Sequence, residues 1–196
     1  MTRFEPERPF EPAYPLVTER LRLRPFTLVD SAAMHALHAS EESVRYLYWE
    51  PLSPEAARER VEQRLGRHTI ADEGDSLALA VELAATGEVI GDVALTWTSR
   101  EHSRGELSFI IHPDHHGRGY ATEAARLLLR VAFDELGLHR VIGRLEARNA
   151  ASARVLERLG LRQEAHLVEN EWVKGRWDSE IVYAILDREW RAQQQG

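Results

Sequence analysis

Between Ile110 and Ala124 the chain reads IIHPDHHGRGYATEA, an apolar strand end that runs through two glycines into the start of a long amphipathic helix. Gly117 and Gly119 carry no side chain, so an anion can approach the main chain closely, and a helix start adds unpaired N–H donors and partial positive charge. That chemistry suits a phosphate or pyrophosphate, although a sharp strand-to-helix turn with no ligand would use the same residue types. The chain has neither the Gly-x-x-x-x-Gly-Lys-Ser/Thr loop of nucleotide hydrolases nor a Gly-x-Gly-x-x-Gly dinucleotide fingerprint, so the two common competing phosphate loops do not fit. A second candidate runs from Asn149 to Leu161, where Asn149 can cap a helix and Ser152 shares a face with Val155, Leu156 and Leu159. His112, His115 and His116 lie close together in sequence. Adjacent histidines in a loop point in different directions and no carboxylate or cysteine pattern completes a site, so no metal is expected.

The first segment resembles the acyl-CoA pyrophosphate loop of the GNAT N-acetyltransferase superfamily. The family pattern Gln/Arg-x-x-Gly-x-Gly/Ala falls on His116 to Ala121, with Gly119 and Ala121 at the small positions and His116 standing where Gln or Arg is usual. The wider spelling from Pro113 to Ala124 looks like the Rim-type branch, which includes acetyltransferases acting on the N-terminal Ala or Ser of ribosomal proteins. The Asn149 segment resembles the family's Asn-x-x-Ser helix ending in Leu-Gly-Phe, and the likeness extends from Thr18 to Trp190.

The resemblance implies acetyl-CoA as acyl donor, lodged on His116, Gly117, Arg118, Gly119, Tyr120, Ala121 and Thr122 and hydrogen-bonded by Asn149. It implies a V-shaped opening between the fourth and fifth predicted strands for the pantetheine arm, beside Phe109, Ile110 and Ile111. It also implies a general base at Glu106 and a proton donor to the departing thiolate at Ser152, with Glu169 and Glu171 as reserve bases. The chemistry needs a base, because an ammonium cannot attack a thioester before it loses a proton. Bland alternatives stay open: Glu106 as an exposed strand residue, and Asn149 with Ser152 as an ordinary capped helix. Tyr46, Tyr48, Trp49 and Trp97 are candidates for an acceptor pocket or for the core, and Trp172, Trp177 and Trp190 for the core or a homodimer contact. The expected activity is N-acetyl transfer to a primary amine, either a peptide N-terminus or a small molecule, by direct attack in a ternary complex. The rival is a CoA-binding regulatory or scaffold protein that keeps the fold without turnover.

These residues need a frame. Leu21 and Leu23 alternate with arginines as a strand does, Thr27 or Asp30 can cap a helix through Met34 and Leu37, and Ser53-Pro54 starts a second helix that ends near Gly66. Leu77–Leu83 and Val89–Trp97 flank a Thr-Gly-Glu turn as a hairpin, and Gly105–His112 follows as a strand. A helix from Ala121 stops at Gly137, a strand spans Arg140–Glu146, a helix spans Asn149 to Gly160, and two last strands flank Lys174-Gly175. The order predicts a mixed α/β (α+β) fold, a mostly antiparallel mixed sheet of about seven strands with four helices. Pro6, Pro9, Pro12 and Pro15 mark residues 1–15 as an extended arm outside the core, residues 16–190 read as one domain, and residues 191–196 as a polar tail.

A formal charge of −7 argues against general affinity for nucleic acid or anionic lipid and suits a cationic amine partner. The absence of cysteine excludes disulfides, thiolate metal ligands and an acyl-cysteine intermediate. With no apolar run near 20 residues and no apolar leader, no membrane partner is expected and the cytoplasm is the expected location.

Overall fold

The structure is a computed structural model that describes residues 9–195. Its frame is one sheet of β1 (Leu16–Val17), β2 (Leu21–Pro25), β3 (Ser76–Leu83), β4 (Val89–Ser99), β5 (Arg104–Ile111), β6 (Arg140–Glu146), β7 (Arg162–Val173) and β8 (Arg176–Leu186). The strand order is β1-β2-β3-β4-β5-β6-β8-β7, and only β5 and β6 run parallel. Helices α1 (Ser31–His38), α2 (Pro54–Glu62), α3 (Tyr120–Arg130), α4 (Ala150–Arg158) and α5 (Asp187–Gln193) pack around it.

Each predicted strand and helix is present, with α2 ending at Glu62 ahead of the expected Gly66 and α3 running on as a π-helical stretch over Val131–Glu135; β1, α5 and two short 3-10 turns, Leu28–Asp30 and Pro113–His115, are additional. β1 has two residues, too short for any alternation to show. α5 carries one buried residue, Trp190, so no helical period marks it; Glu189 accepts from the Leu186 N–H (2.8 Å) and the Trp190 indole stacks on Phe133. The helix runs through residue 193, so the polar tail expected from residue 191 begins inside a helical turn. The arm is corrected over its described part. Phe10 exchanges backbone hydrogen bonds with Ile70 (2.7 and 2.9 Å), and the Tyr14 hydroxyl donates to the His68 carbonyl (2.8 Å), because the aromatic residues between the prolines have apolar area to bury. Residues 1–8 of the arm lie outside the described residues.

Alternation assigns the faces. Leu77, Leu79 and Val81 of β3, Val93, Leu95 and Trp97 of β4, Leu107 and Ile111 of β5, and Val141 and Leu145 of β6 join Ala124, Leu128 and Val131 in one core under α3. The other face carries Ala80, covered by Phe26, Met34, Ala57 and Val61 from α1, α2 and their approaches. Glu106, Ser108 and Ile110 point to this second face, as do Ile142, Arg144 and Glu146.

Gly91 lets β4 approach the end of β5. A Cβ there would fall inside the van der Waals envelope of the Ile110 carbonyl oxygen and stand 2.7 Å from Ile111 Cδ1. Backbone cannot yield as a side chain can, so Gly91→Ala is expected to lower stability by about 1–3 kcal/mol. Urea unfolding with an unchanged slope would show this, and an unchanged midpoint would contradict so close an approach.

Candidate active site

The site begins where the sheet opens. β5 and β6 pair over Arg104–Arg140, Gly105–Val141 and Glu106–Ile142 and no further, although both strands run on to Ile111 and Glu146. The edge of β5 from Leu107 to Ile111 therefore has no strand partner on the β6 side among the described residues, and the two strands leave a slot between them. α4 reaches this slot because Gly143 has no side chain: a Cβ would meet both Leu156 methyls at 2.9 Å.

At the end of β5 the chain turns through His112–Gly119 into α3. Gly117 (φ +76°) and Gly119 (φ +82°) both adopt the left-handed conformation that glycine tolerates best. Gly119 is the N-cap of α3 and supplies no side-chain cap, whereas Ser53 caps α2 and Asn149 caps α4 through its side chain. The first-turn N–H groups of α3 are thus left for another acceptor. The His116 ring hydrogen-bonds the Ile111 carbonyl (2.6 Å), which fastens the turn to the strand end. Arg20 of the β1–β2 turn braces the far side, donating to Glu123 from Nε (2.8 Å) and to the Arg118 carbonyl (3.1 Å). A groove of about 520 Å³ starts at Gly119 and Thr122 and runs along α3 past Arg126, Arg130 and Arg158, with Glu123 and Asp134 among its acidic members.

Across the slot from α3 and α4 lies Glu106, half-buried. Burial pushes its carboxyl above the usual carboxylate range and the charge of Glu180 adds to this, while Arg144 and Arg104 oppose it. Arg144 is held by Glu180 of β8 (2.8 Å). Beside them Tyr46 and Tyr48 overhang a cleft floored by Glu146, Glu171, Asp178 and Glu180.

The model of the acetyltransferase (GNAT) domain matches residues 20–162. The chain belongs to the GNAT acetyltransferase family. An N-acetyltransferase of Bacillus licheniformis is 27% identical over 175 residues, covering 89% of this chain and 97% of the relative. Among solved structures, a GNAT-family acetyltransferase from Bacillus anthracis superposes with a TM-score of 0.79 at 27% identity, covering 88% and 98% of the two chains. A spermidine N-acetyltransferase from Vibrio cholerae, solved with CoA and spermine, gives 0.74 at 26% identity, covering 89% and 99%.

In this GNAT acetyltransferase the expected site residues fall unevenly around the slot. Phe109, Ile110 and Ile111 lie on the open β5 edge, and His116 to Thr122 form the turn and first helical turn beyond it. Asn149 caps α4, its Oδ1 accepting from the Ser152 N–H (3.1 Å), which is the ordinary role foreseen for the pair. The Asn149 side-chain nitrogen and the Ser152 hydroxyl make no hydrogen bond among the described residues. Tyr46 and Tyr48 reach the cleft, but two aromatics do not. Trp97 is corrected to a core residue, 1% exposed with Val93 and Leu95 on the α3 face, because its parity on β4 turns it away from Glu106. Trp49 turns toward α1 and α2, its indole N–H donating to His38 Nδ1 (3.4 Å) and its ring lying under the Arg60 guanidinium (3.8 Å). Of the reserve bases, Glu171 lines the cleft, whereas Glu169 sits exposed at a bulge with φ +49°. Arg20, Arg144, Glu146 and Glu180 escaped the sequence reading. Their only signal is alternation, since Arg144 and Glu146 flank the inward Leu145 and so share a face.

Proposed function

We propose that the protein transfers an acetyl group from acetyl-CoA to a primary amine by direct attack in a ternary complex. The observation that carries this reading is the slot between β5 and β6, with the uncapped start of α3 at its mouth and the half-buried carboxyl of Glu106 on the opposite face. Acetyl-CoA supplies the activated acyl thioester. Gly117 to Thr122 offer main-chain N–H groups to its pyrophosphate, His116 holds the turn in place, and Arg126 and Arg158 line the groove beyond. The unpaired β5 edge from Phe109 to Ile111 lies along the pantetheine arm and presents an N–H that polarises the thioester carbonyl. Asn149 has its side-chain nitrogen free to donate to the same arm. Glu106 takes the proton of the incoming ammonium, directly or through water, and Ser152 at the first turn of α4 gives a proton to the departing sulfur. The two proton transfers then occur on opposite faces of the sheet, so the attacking and leaving groups need not share space.

The Vibrio cholerae relative solved with spermine supports an amine acceptor, and the Rim-type spelling from Pro113 to Ala124 supports a peptide N-terminus as one form of it. Residues 16–190 serve as the catalytic domain, in the cytoplasm. The exposed Trp172 and Trp177, packed edge to face on the β7–β8 hairpin, are the surface a homodimer would cover. With no cysteine in the chain, no acyl-cysteine intermediate is formed, and direct transfer needs no other nucleophile. Intact mass after incubation with acetyl-CoA alone is expected to be unchanged, and the acetyl group should appear on an added amine. A stoichiometric acetyl adduct on one serine, removed by an amine, would contradict direct transfer.

A further inference from the structure

The sheet register sets two carboxylates against each other. Glu146 of β6 and Glu180 of β8 are direct partners in an antiparallel pair, a position where like charges repel. Both are sequestered: Glu180 is 3% exposed and the Glu146 side chain 9%. Each has one oxygen satisfied, Glu146 Oε1 by Arg148 (2.8 Å) and Glu180 Oε1 by Arg144 (2.8 Å). The second oxygen of each, Oε2, is buried with no hydrogen-bond partner, and both residues line the same cleft. A buried acceptor left unpaired is costly, and a charged one more so.

The neighbouring cations do not meet this demand as they stand. Arg148 and Arg176 both bond Asp178, and Arg144 bonds Glu180 at Oε1, not Oε2. What would satisfy both oxygens is a compact group with several N–H donors and a positive charge, entering from the cleft. Tyr46 and Tyr48 also line the cleft and add apolar ring surface that suits methylene groups, the Tyr46 ring already lying under the Arg45 guanidinium (5.5 Å). The cleft is also roofed: Lys174 at the β7–β8 turn donates to the Val44 carbonyl (2.9 Å), tying the hairpin to the segment that carries both tyrosines. A peptide backbone under this roof would bring polar groups without partners, whereas a methylene chain would not. Glu106 lies on the same face of the sheet as Arg144 and Glu146 and within reach of the charges of Arg144 and Glu180.

Resting on the amine-acetylation reading, the geometry points to Glu146 and Glu180 as a subsite for a second ammonium group of the acceptor. The substrate class is then a small di- or polyamine, held at one end between the two carboxylates while its other amine is deprotonated at Glu106. A monoamine leaves the two oxygens unpaired and gains nothing from them.

Calorimetric titration of the CoA-loaded full-length protein tests this with four probes: spermidine, 1,4-diaminobutane, n-butylamine and a short peptide beginning with Ser. The two polycations should bind about 10- to 100-fold more tightly than n-butylamine, as expected for hydrogen bonds to charged groups. Glu146→Gln and Glu180→Gln should each shrink that preference about tenfold or more. The wild-type ratio stands without either variant, so a variant that fails to fold does not remove the test. Equal binding of n-butylamine and 1,4-diaminobutane would overturn the subsite, as would tighter binding of the peptide with a preference that both variants leave intact. Thiol release, followed in parallel, separates the two readings. Release with n-butylamine as efficient as with the diamine removes the subsite and leaves acetyl transfer standing, while carboxylate-dependent diamine binding without release from any amine does the reverse.

Discussion

Glu106→Gln is expected to lower turnover at neutral pH by about 10²- to 10⁴-fold, the range over which a positioned base acts. The substitution keeps the side chain's shape on β5 and removes only its ability to take a proton. CoA affinity should stay nearly constant, because the α3 turn and the β5 edge do not depend on this carboxyl. The pH dependence gives a sharper test. Burial and Glu180 raise the pKa of Glu106, so the wild-type enzyme should lose activity as pH falls through a value above the ordinary carboxylate range. The Gln variant should lack that limb and recover partly at high pH, where solvent deprotonates the amine unaided. The same shift has a consequence for stability. A carboxyl whose folded pKa lies above its unfolded value binds more protons in the native state, so its contribution is present below the unfolded pKa and is lost as pH rises through the folded one. Stability in that acidic window should fall with rising pH in the wild type and less so in Glu106→Gln. Wild-type rates in the variant across the whole pH range would move the base to Glu171, Glu169 or solvent.

Gly119→Asp is expected to weaken CoA binding by about tenfold or more, since a carboxylate at the start of α3 is worth about 1–2 kcal/mol against a bound pyrophosphate. At φ +82° any side chain is strained, and the added carboxylate sits at the N-cap of α3, where it competes for the N–H groups offered to the pyrophosphate. Space is not the obstacle, as the nearest atom to a Cβ there is Arg20 Nη2 at 3.7 Å. The positive φ should cost about 1–2 kcal/mol of stability, seen as a modest drop in unfolding midpoint, while the charge effect appears separately in CoA calorimetry. Gly119→Ala, with the strain but without the charge, should fall between the two. Unchanged CoA affinity in Gly119→Asp would place the pyrophosphate elsewhere.

Much of this was legible before the fold because it is local. The turn at Gly117 and Gly119 and the Asn149 cap are written in a few adjacent residues, and the alternation of Glu106 with Leu107 fixes which way the Glu106 carboxyl points. The inward turn of Trp97 was equally available, since it alternates in phase with Val93 and Leu95, but aromatic identity suggested a pocket instead. What could not be read is what depends on long-range pairing. Nothing near Glu146 in sequence announces Glu180, and only the β6–β8 register brings them face to face. Arg20 likewise meets Glu123 across 103 positions. The slot itself is a property of two strands that stop pairing after Ile142, and its place was foreseen from family likeness rather than from any residue pattern. α5 escaped because a helix with one buried residue has no period.

The most direct test of acetyl transfer at this slot is the release of CoA thiol from acetyl-CoA by the wild-type protein with and without a primary amine. The account predicts negligible release with acetyl-CoA alone and saturable release on adding 1,4-diaminobutane, with one acetylated amine formed per thiol. Saturable CoA binding with no thiol release from any amine, diamine or N-terminal peptide supplied would contradict it.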